Sequence, residues 1–308
     1  MTVTAQQVKE LRDATGVGMM DCKKALAETN GDMEAAIDWL RTRGLAKAAK
    51  KAGRVAAEGL VGVSIEGVNG AIVEVNSETD FVARNEQFQG IVAGISKLAH
   101  DAKGDVALLG EMPFPGSGRS VAGELTDAIA KIGENMTLRR TDTVSVKDGV
   151  VGSYVHNAVK PGMGKLGILV GLESTGDKDA LLALGKQIAM HIANTNPLSI
   201  SPDDLDPEVV ARERAIYTEQ ASESGKPADI VAKMVEGRVR KYYEEVTLLA
   251  QTFVIDGETK IADVLKKAEK EVGAPVKLTK FVRYALGEGI EKEVSDFAAE
   301  VAATAGAN

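Results

Sequence analysis

The chain has 308 residues, room for one large domain or two to three small ones, and its 44% hydrophobic and 27% charged residues are ordinary for a globular protein. Asp and Glu outnumber Lys and Arg by 45 to 37, a formal net charge of −8, which argues against bulk nucleic-acid binding because neutralising phosphates needs a positive field. Cys22 is the single cysteine, so an intramolecular disulfide and a Cys-rich metal site are excluded.

Aromatic residues make up 4% of the chain, so packing must rely on small aliphatic side chains and close backbone approach. The first residues, Met-Thr-Val-Thr-Ala-Gln-Gln, have neither a basic nor an apolar leader region. No apolar run approaches the ~18–20 residues of a spanning helix. The chain reads as soluble and cytoplasmic, with no membrane partner. The basic stretch Lys47-Ala48-Ala49-Lys50-Lys51 reads as a solvated helix face or linker.

Residues 1–45 read as three short helices. Val8 and Leu11 mark the apolar face of the first, and Thr15-Gly16-Val17-Gly18 breaks it. Asp21 suits the cap of a second helix bearing Ala25 and Leu26. Asn30-Gly31-Asp32 is a turn ending in a capping residue. Ala36, Ile37 and Leu40 line a third helix, which Gly44 ends. This arrangement resembles the ubiquitin-associated type of module, which usually binds another protein. Residues 46–56 read as a linker helix.

Leu60, Val61, Val63 and Ile65 form a strand, Gly67-Val68-Asn69-Gly70 a hairpin turn, and Ala71 to Val75 the return strand. A helix follows with Phe88, Ile91, Val92, Ile95 and Leu98 at helical spacing. The unit recurs. Glu58-Gly59-Leu60-Val61-Gly62 parallels Asp148-Gly149-Val150-Val151-Gly152, and Ala71-Ile72-Val73 parallels Ile168-Leu169-Val170. A flexible loop over 157–165 joins the second pair. The helix after it carries Leu181, Leu184, Ile188 and Ile192.

Pro202 and Pro207 open a charged insert. One helix runs from about Glu208 to Glu223, Ser224-Gly225-Lys226-Pro227 turns the chain, and a second helix carries Val235, Val239, Tyr242 and Val246. So thin a stripe must pack either on this chain or on a second copy, which leaves a homodimer through this hairpin open. Strands resume at Leu248 and Phe253-Val254-Ile255, and again at Phe281 to Tyr284. A last helix places Ile290, Val294, Phe297 and Val301 on one face.

The expected fold class is α+β, with an N-terminal three-helix ubiquitin-associated-like module, duplicated α+β core subdomains with antiparallel strands, an inserted helical hairpin and a C-terminal helix. The boundaries fall at 1–55 for the module and linker, 56–141 for the first core subdomain, 142–200 with 247–289 for the second, 201–246 for the hairpin and 290–308 for the last helix.

Signatures of enzyme chemistry are absent. Pro161-Gly162-Met163-Gly164-Lys165-Leu166 looks like a phosphate-cradling loop, but Val159 stands where that motif needs Gly and Leu166 where it needs a hydroxyl. His100, His156 and His191 lack metal-ligand spacing. No Gly-x-Ser-x-Gly elbow occurs, and Cys22 has no evident activating base. No cofactor or metal is expected. The segment Ser77-Glu78-Thr79-Asp80-Phe81-Val82-Ala83-Arg84-Asn85 lies between a strand and a helix, and Thr79 or Asp80 suits the helix cap. Its residues alone favour a capped helix with Phe81 turned into the core.

Two stretches carry a family resemblance. Val8-Lys9-Glu10-Leu11-Arg12 with Thr15-Gly16-Val17-Gly18-Met19-Met20-Asp21-Cys22-Lys23-Lys24-Ala25-Leu26 resembles the opening signature of the elongation factor Ts family. Glu74-Val75-Asn76 followed by Thr79-Asp80-Phe81-Val82-Ala83 resembles its second signature. Lys131-Ile132-Gly133-Glu134-Asn135, Ser224-Gly225-Lys226-Pro227 and Gly287-Glu288-Gly289-Ile290 match further stretches in order. Arg84, where Lys is frequent, and a long second hairpin loop are departures. The resemblance implies a non-catalytic guanine-nucleotide exchange factor whose partner is elongation factor Tu, GDP-bound or nucleotide-free. It further implies that Asp80 and Phe81 enter Tu beside the nucleotide and disturb Mg²⁺ ligation, with Thr79 and Val82 holding the loop. Leu11, Met19 and Met20 would pack on another face of Tu, and Ile132, Gly133 and His156 would be weaker contacts. The second reading is a non-exchanging adaptor of the translation machinery that uses the three-helix module.

Overall fold

A computed structural model describes residues 3–15, 17 and 19–291. The described residues fall into two units. One comprises those up to 62, those of 73–141 and those from 285 onward; the other comprises 63–72 and 142–284. The fold class is α+β, with antiparallel strands and a helical N-terminal region.

The N-terminal helices are α1 (Ala5–Thr15), α2 (Met19–Glu28) and α3 (Met33–Lys51). Val8, Leu11, Cys22, Ala25, Leu26, Ala36 and Leu40 close a small core between them. Asp32 caps α3 by accepting the Ala35 N–H at 2.9 Å. Asp21 is not a cap. Because α2 begins at Met19, Asp21 sits inside the first turn, where its charge still suits the positive end of the helix. Gly44 does not end α3, which runs on to Lys51 and absorbs the expected linker helix.

The hairpin β1 (Glu58–Glu66) and β2 (Asn69–Ser77) is followed by α4 (Glu86–Ala102), which buries Phe88, Ile91, Val92 and Ile95. Asn85, not Thr79 or Asp80, caps α4 by accepting the Phe88 N–H at 3.1 Å. Three elements that the sequence patterns left unassigned come next: α5 (Val106–Glu111), α6 (Val121–Ile132) and β3 (Met136–Ser145). The reason α3 passes through Gly44 now appears. A Cβ on Gly44 would lie 3.1 Å from the Ala130 Cβ of α6, so the glycine permits close helix approach.

The second copy opens with β4 (Gly149–His156), the short β5 (Met163–Gly164) and β6 (Leu166–Glu173). β4 pairs antiparallel with β6 from Gly149↔Glu173 to His156↔Leu166. The loop over 157–165 folds back on itself: Met163 bridges Lys160, and the Gly162 carbonyl accepts the Val63 N–H at 2.7 Å. Then come α7 (Lys178–Thr195), the hairpin α8 (Pro207–Ser222) and α9 (Ala228–Val246), α10 (Ile261–Val272) and β7 (Lys277–Ala285). Strand order is β3-β2-β1-β5 in one sheet and β4-β6-β7 in the other. The run β3-β2-β1 has the same order as β7-β6-β4, and α6 precedes β3 as α10 precedes β7.

Phe253-Val254-Ile255 is not a strand, and Leu248–Ala250 is one 3₁₀ turn. The Asp256 carboxylate accepts the Glu258 and Thr259 N–H groups, both at 3.0 Å, and forces a turn there; these donors hold its carboxyl down at about 2. Phe253 is buried beside the His191 ring. His191 Nε2 meets Gln251 Oε1 at 2.9 Å and Val254 N–H donates to Nδ1 at 3.3 Å, so both nitrogens are committed. Burial pushes the imidazole below its ordinary value. In the helical hairpin Ala221, Val235 and Val239 are buried with Tyr217, Val231 and Tyr243 against them; Tyr243, not Tyr242, completes the seam. Of the expected terminal helix, Val294, Phe297 and Val301 lie outside the described residues.

Two glycines test the packing argument with opposite signs. A Cβ on Gly152 in β4 would come within 2.5 Å of the Gly185 backbone in α7. Gly152→Ala should therefore destabilise by about 1–3 kcal/mol, an overpacking cost. Gly237 is exposed in mid-α9 with nothing within 4 Å of an added Cβ. Gly237→Ala should stabilise its helix by about 0.5–1 kcal/mol. Urea titrations of both variants would read the two signs.

Candidate functional site

Strand β2 ends at Ser77, and the chain reaches α4 through a loop whose 3₁₀ turn covers Val82–Arg84. Phe81 precedes that turn with φ −63° and ψ −36° and is 74% exposed. Val82 and Ala83, by contrast, are 3% and 5% exposed. The composition-based expectation of a core Phe81 is therefore reversed. Val82 is the residue that turns inward, and the aromatic ring faces out. The turn closes through Arg84 N–H to the Phe81 carbonyl at 3.1 Å and Asn85 N–H to the Val82 carbonyl at 2.9 Å. Gln89 on α4 ties it down by donating to the Ala83 carbonyl at 2.8 Å.

The loop is also braced from the end of α6. Thr79 donates its N–H at 2.9 Å and its hydroxyl at 2.7 Å to the Glu134 carboxylate. Ser77 Oγ donates to the Thr79 carbonyl at 2.9 Å. Glu78 accepts the Asn135 N–H at 2.6 Å and pairs with Arg54 at 3.4 Å. Asp80 lies 4.0 Å from Arg84, with side chains 47% and 76% exposed, a pair too solvated to hold the loop by itself.

The other residues singled out from the sequence divide by exposure. Met19 and Met20 stand 55% and 78% exposed on the first turn of α2. Leu11 is fully buried in the core beneath, so it supports that surface and offers none of its own. Ile132 is half-buried, and Gly133 caps α6 with φ +90°. The Glu134 bond brings this pair beside Thr79. His156 is exposed in the second unit, where Tyr154 OH meets its Nδ1 at 3.0 Å. Cys22 is buried, and burial pushes its thiol up, away from the reactive thiolate.

Glu78, Glu134 and Asn135 were missed as functional candidates. Their signal was present in two Glu-polar pairs, Glu78-Thr79 and Glu134-Asn135, each at the end of a regular element. Glu74 was missed as well. Its carboxylate is fully buried on β2 and accepts from Arg139 at 2.9 Å, Arg140 at 2.5 Å, Asn76 at 3.0 Å and the Gly287 N–H at 2.8 Å. Burial alone pushes this carboxyl up. The Gly287, Asn76, Arg139 and Arg140 donors outweigh that, and the net position is below the ordinary value.

These features describe an α+β scaffold that presents apolar side chains, Phe81 above all, on braced backbone. The family model described as Elongation factor TS matches residues 78–288. Elongation factor Ts of Paramagnetospirillum magneticum is 63% identical over 304 residues, covering 99% of this chain and 97% of that protein. The Rhodospirillum centenum protein of the same name is likewise 63% identical over 304 residues, 99% of each chain. That of Rhizobium etli is 61% identical over 301 residues, 98% of each. The chain belongs to the elongation factor Ts family, and its role is that of a translation elongation factor.

The buried Glu74 makes stability pH-dependent on the acid side. Its folded value is depressed, so its contribution is full above the ordinary carboxylate value of 4.5 and is lost as pH falls through the lower folded value. Glu74→Gln should flatten that acid limb. It should also cost about 3–5 kcal/mol at neutral pH, because two guanidinium groups lose a buried partner. Chemical denaturation from pH 7 down to 3 tests both effects.

Proposed function

We propose that this chain is a guanine-nucleotide exchange factor for elongation factor Tu, a non-catalytic partner that makes Tu release GDP so that GTP can bind. The observation that carries the reading is the exposure of Phe81 on a loop whose neighbours Val82 and Ala83 are buried. An outward aromatic on braced backbone suits a binding group, since among the described residues most of its surface is left uncovered. Asp80 and Phe81 enter the nucleotide-binding domain of Tu and shift the groups that ligate Mg²⁺ and phosphate. Mg²⁺ demands near-ideal octahedral geometry, so a small displacement of its ligands weakens its hold. Thr79 and Val82 keep the loop in shape.

Met19 and Met20 form a second contact, where flexible thioethers suit an adaptable interface. Ile132, Gly133 and His156 are peripheral contacts. The hairpin insert over 201–246 and the segment 290–308 are accessory parts. Among the described residues no helix is long and apolar enough to cross a membrane, and the proposed setting is the cytoplasm with the rest of the translation machinery. Neither cofactor nor direct nucleic-acid contact enters this scheme.

The magnitudes are adequate. A buried Phe removes about 150–250 Å² from water, worth about 4–6 kcal/mol at ~25 cal/mol per Å². Association and the distortion of Tu consume part of it.

Stopped-flow release of fluorescent GDP from Tu tests the reading. Phe81→Ala should slow stimulated release at least about tenfold, the equivalent of ~1.4 kcal/mol. Phe81→Leu should lose less, because it keeps much of the volume. Both variants should melt like the parent, since the ring is exposed. Wild-type release from Phe81→Ala would refute the wedge. Tu binding without any faster release by the parent chain would select the adaptor reading.

A separate variant addresses the helical module. Met19→Ala combined with Met20→Ala should weaken Tu binding while circular dichroism and melting temperature barely change. A collapse of the fold instead would show that these side chains serve the core.

A further inference from the structure

Two carboxylates form a reciprocal clamp beneath Phe81. Glu134 follows the left-handed Gly133 that ends α6, and its two oxygens take the Thr79 N–H and the Thr79 hydroxyl separately. Glu78, the residue before Thr79, reaches the other way and accepts the Asn135 N–H at 2.6 Å. Each Glu thus holds the backbone of the residue that follows the other. The node is anchored further. Asn135, 3% exposed, donates its side-chain amide to the Arg54 carbonyl at 2.7 Å, and Lys51 in the last turn of α3 donates to the Gly133 carbonyl.

None of these groups is offered to a partner as Phe81 is. Thr79 is half-buried, and the Glu134 bonds occupy both its donors. A carboxylate held at both oxygens by one residue fixes that residue's orientation as well as its place, because a rotated backbone satisfies only one of the bonds. Phe81 lies two residues on and is 74% exposed, so the loop backbone does most to set its direction. A ring on an unbraced turn would have to be ordered as it is driven into the nucleotide site, after the chain has docked, and that lost freedom would count against the release step.

We propose that Glu134 is a positioning residue for Phe81, holding through Thr79 the direction in which the loop presents the ring to its partner. The proposal rests on the exchange reading given above. Glu134 touches neither Tu nor nucleotide and acts only through the loop. Glu78 with Asn135 makes the return half of the clamp.

The test uses the full chain and Tu loaded with fluorescent GDP, recording release rate against concentration of each variant, with thermal melts alongside. Glu134→Gln keeps the side-chain shape but replaces one accepting oxygen with a donating amide. Thr79→Val removes the hydroxyl while keeping the branched shape. Each should lower the maximal release rate by about five- to tenfold, as loss of a charge-assisted bond implies, and change the half-saturating concentration much less. Thr79→Ser, which restores the hydroxyl, should recover most of the rate. In a Phe81→Ala background, Glu134→Gln should produce no further loss, because the group it positions is gone.

The proposal is overturned if Glu134→Gln and Thr79→Val both release GDP at the parent rate. It is overturned equally if Glu134→Gln slows the Phe81→Ala protein as much as it slows the parent, or if Thr79→Ser is as slow as Thr79→Val. Failure of the parent chain itself to speed GDP release would instead remove the exchange reading, a result these other outcomes do not mimic.

Discussion

A buried charge organises the first unit. Glu74 has no solvent exposure, and an isolated carboxylate in such a place is prohibitively costly. It persists because four donors converge on it, and those donors come from distant parts of the chain: Asn76 from its own strand, Arg139 and Arg140 from β3, and the Gly287 amide from the turn after β7. Satisfying Glu74 therefore obliges these three segments to meet. Gly287 shows how tight the meeting is. Its φ is +71°, and a Cβ there would lie 2.3 Å from the Ala57 carbonyl oxygen. Arg140 adds a bond to the Ala285 carbonyl at 2.9 Å. Asn76 then carries the constraint along β2 by donating to the Glu58 carbonyl at 3.2 Å. The strand end that delivers Ser77 and the Phe81 loop is thus set by an electrostatic requirement three residues upstream.

The rest of the architecture follows from scarcity of large side chains. With 4% aromatic residues, the two helix-on-hairpin layers close by bringing strand backbone near the helix. In the first, Gly62 of β1 faces Val92 and Ser96 of α4; in the second, Gly152 of β4 meets Gly185 of α7. Corresponding strand positions do the same job with different neighbours. Where the first copy has the short α5, the second carries the long hairpin α8–α9. Its buried seam of Ala221, Val235 and Val239 is thin beside the cluster around Ile168, Leu181, Ile188 and Leu265 in the unit that bears it. Local opening should begin there, because few apolar contacts oppose it.

The legible parts of the fold were those with strong period. The hairpins, α4, α7 and the helical insert announced themselves by spacing and turn residues. α10 had an equally clear pattern in Ile261, Leu265, Ala268 and Val272, but the strand-like Phe253-Val254-Ile255 just before it drew the reading toward β structure. What decides those residues is the Asp256 turn, a side-chain effect that propensity does not weigh. Gly44 misled for a related reason: glycine ends helices in isolation, but here it serves contact with Ala130 across the fold. At the site, the motif around Phe81 was visible only through family resemblance. Its clamp was not visible, since Glu134 and Thr79 are 55 positions apart and nothing local marks them as partners.

The direction of Phe81 has a physical logic of its own. Within Thr79–Ala83, Thr79 is held by Glu134, the Ala83 carbonyl by Gln89 and Val82 by burial. The one large apolar group is left 74% exposed, so the fold gains little from burying the ring. Under the proposed function its gain would come mainly on docking. Under the proposed exchange, that gain is bounded by linkage. If seating the ring weakens GDP on Tu, then GDP on Tu must weaken the seating of the ring by the same factor. A much stickier loop would not make a better factor, because the same reciprocity that drives GDP out must let GTP drive this chain off. A single well-braced aromatic is a suitable compromise. Under the proposed exchange, it would supply contact enough to displace the nucleotide while leaving the complex weak enough for the next nucleotide to dissolve it.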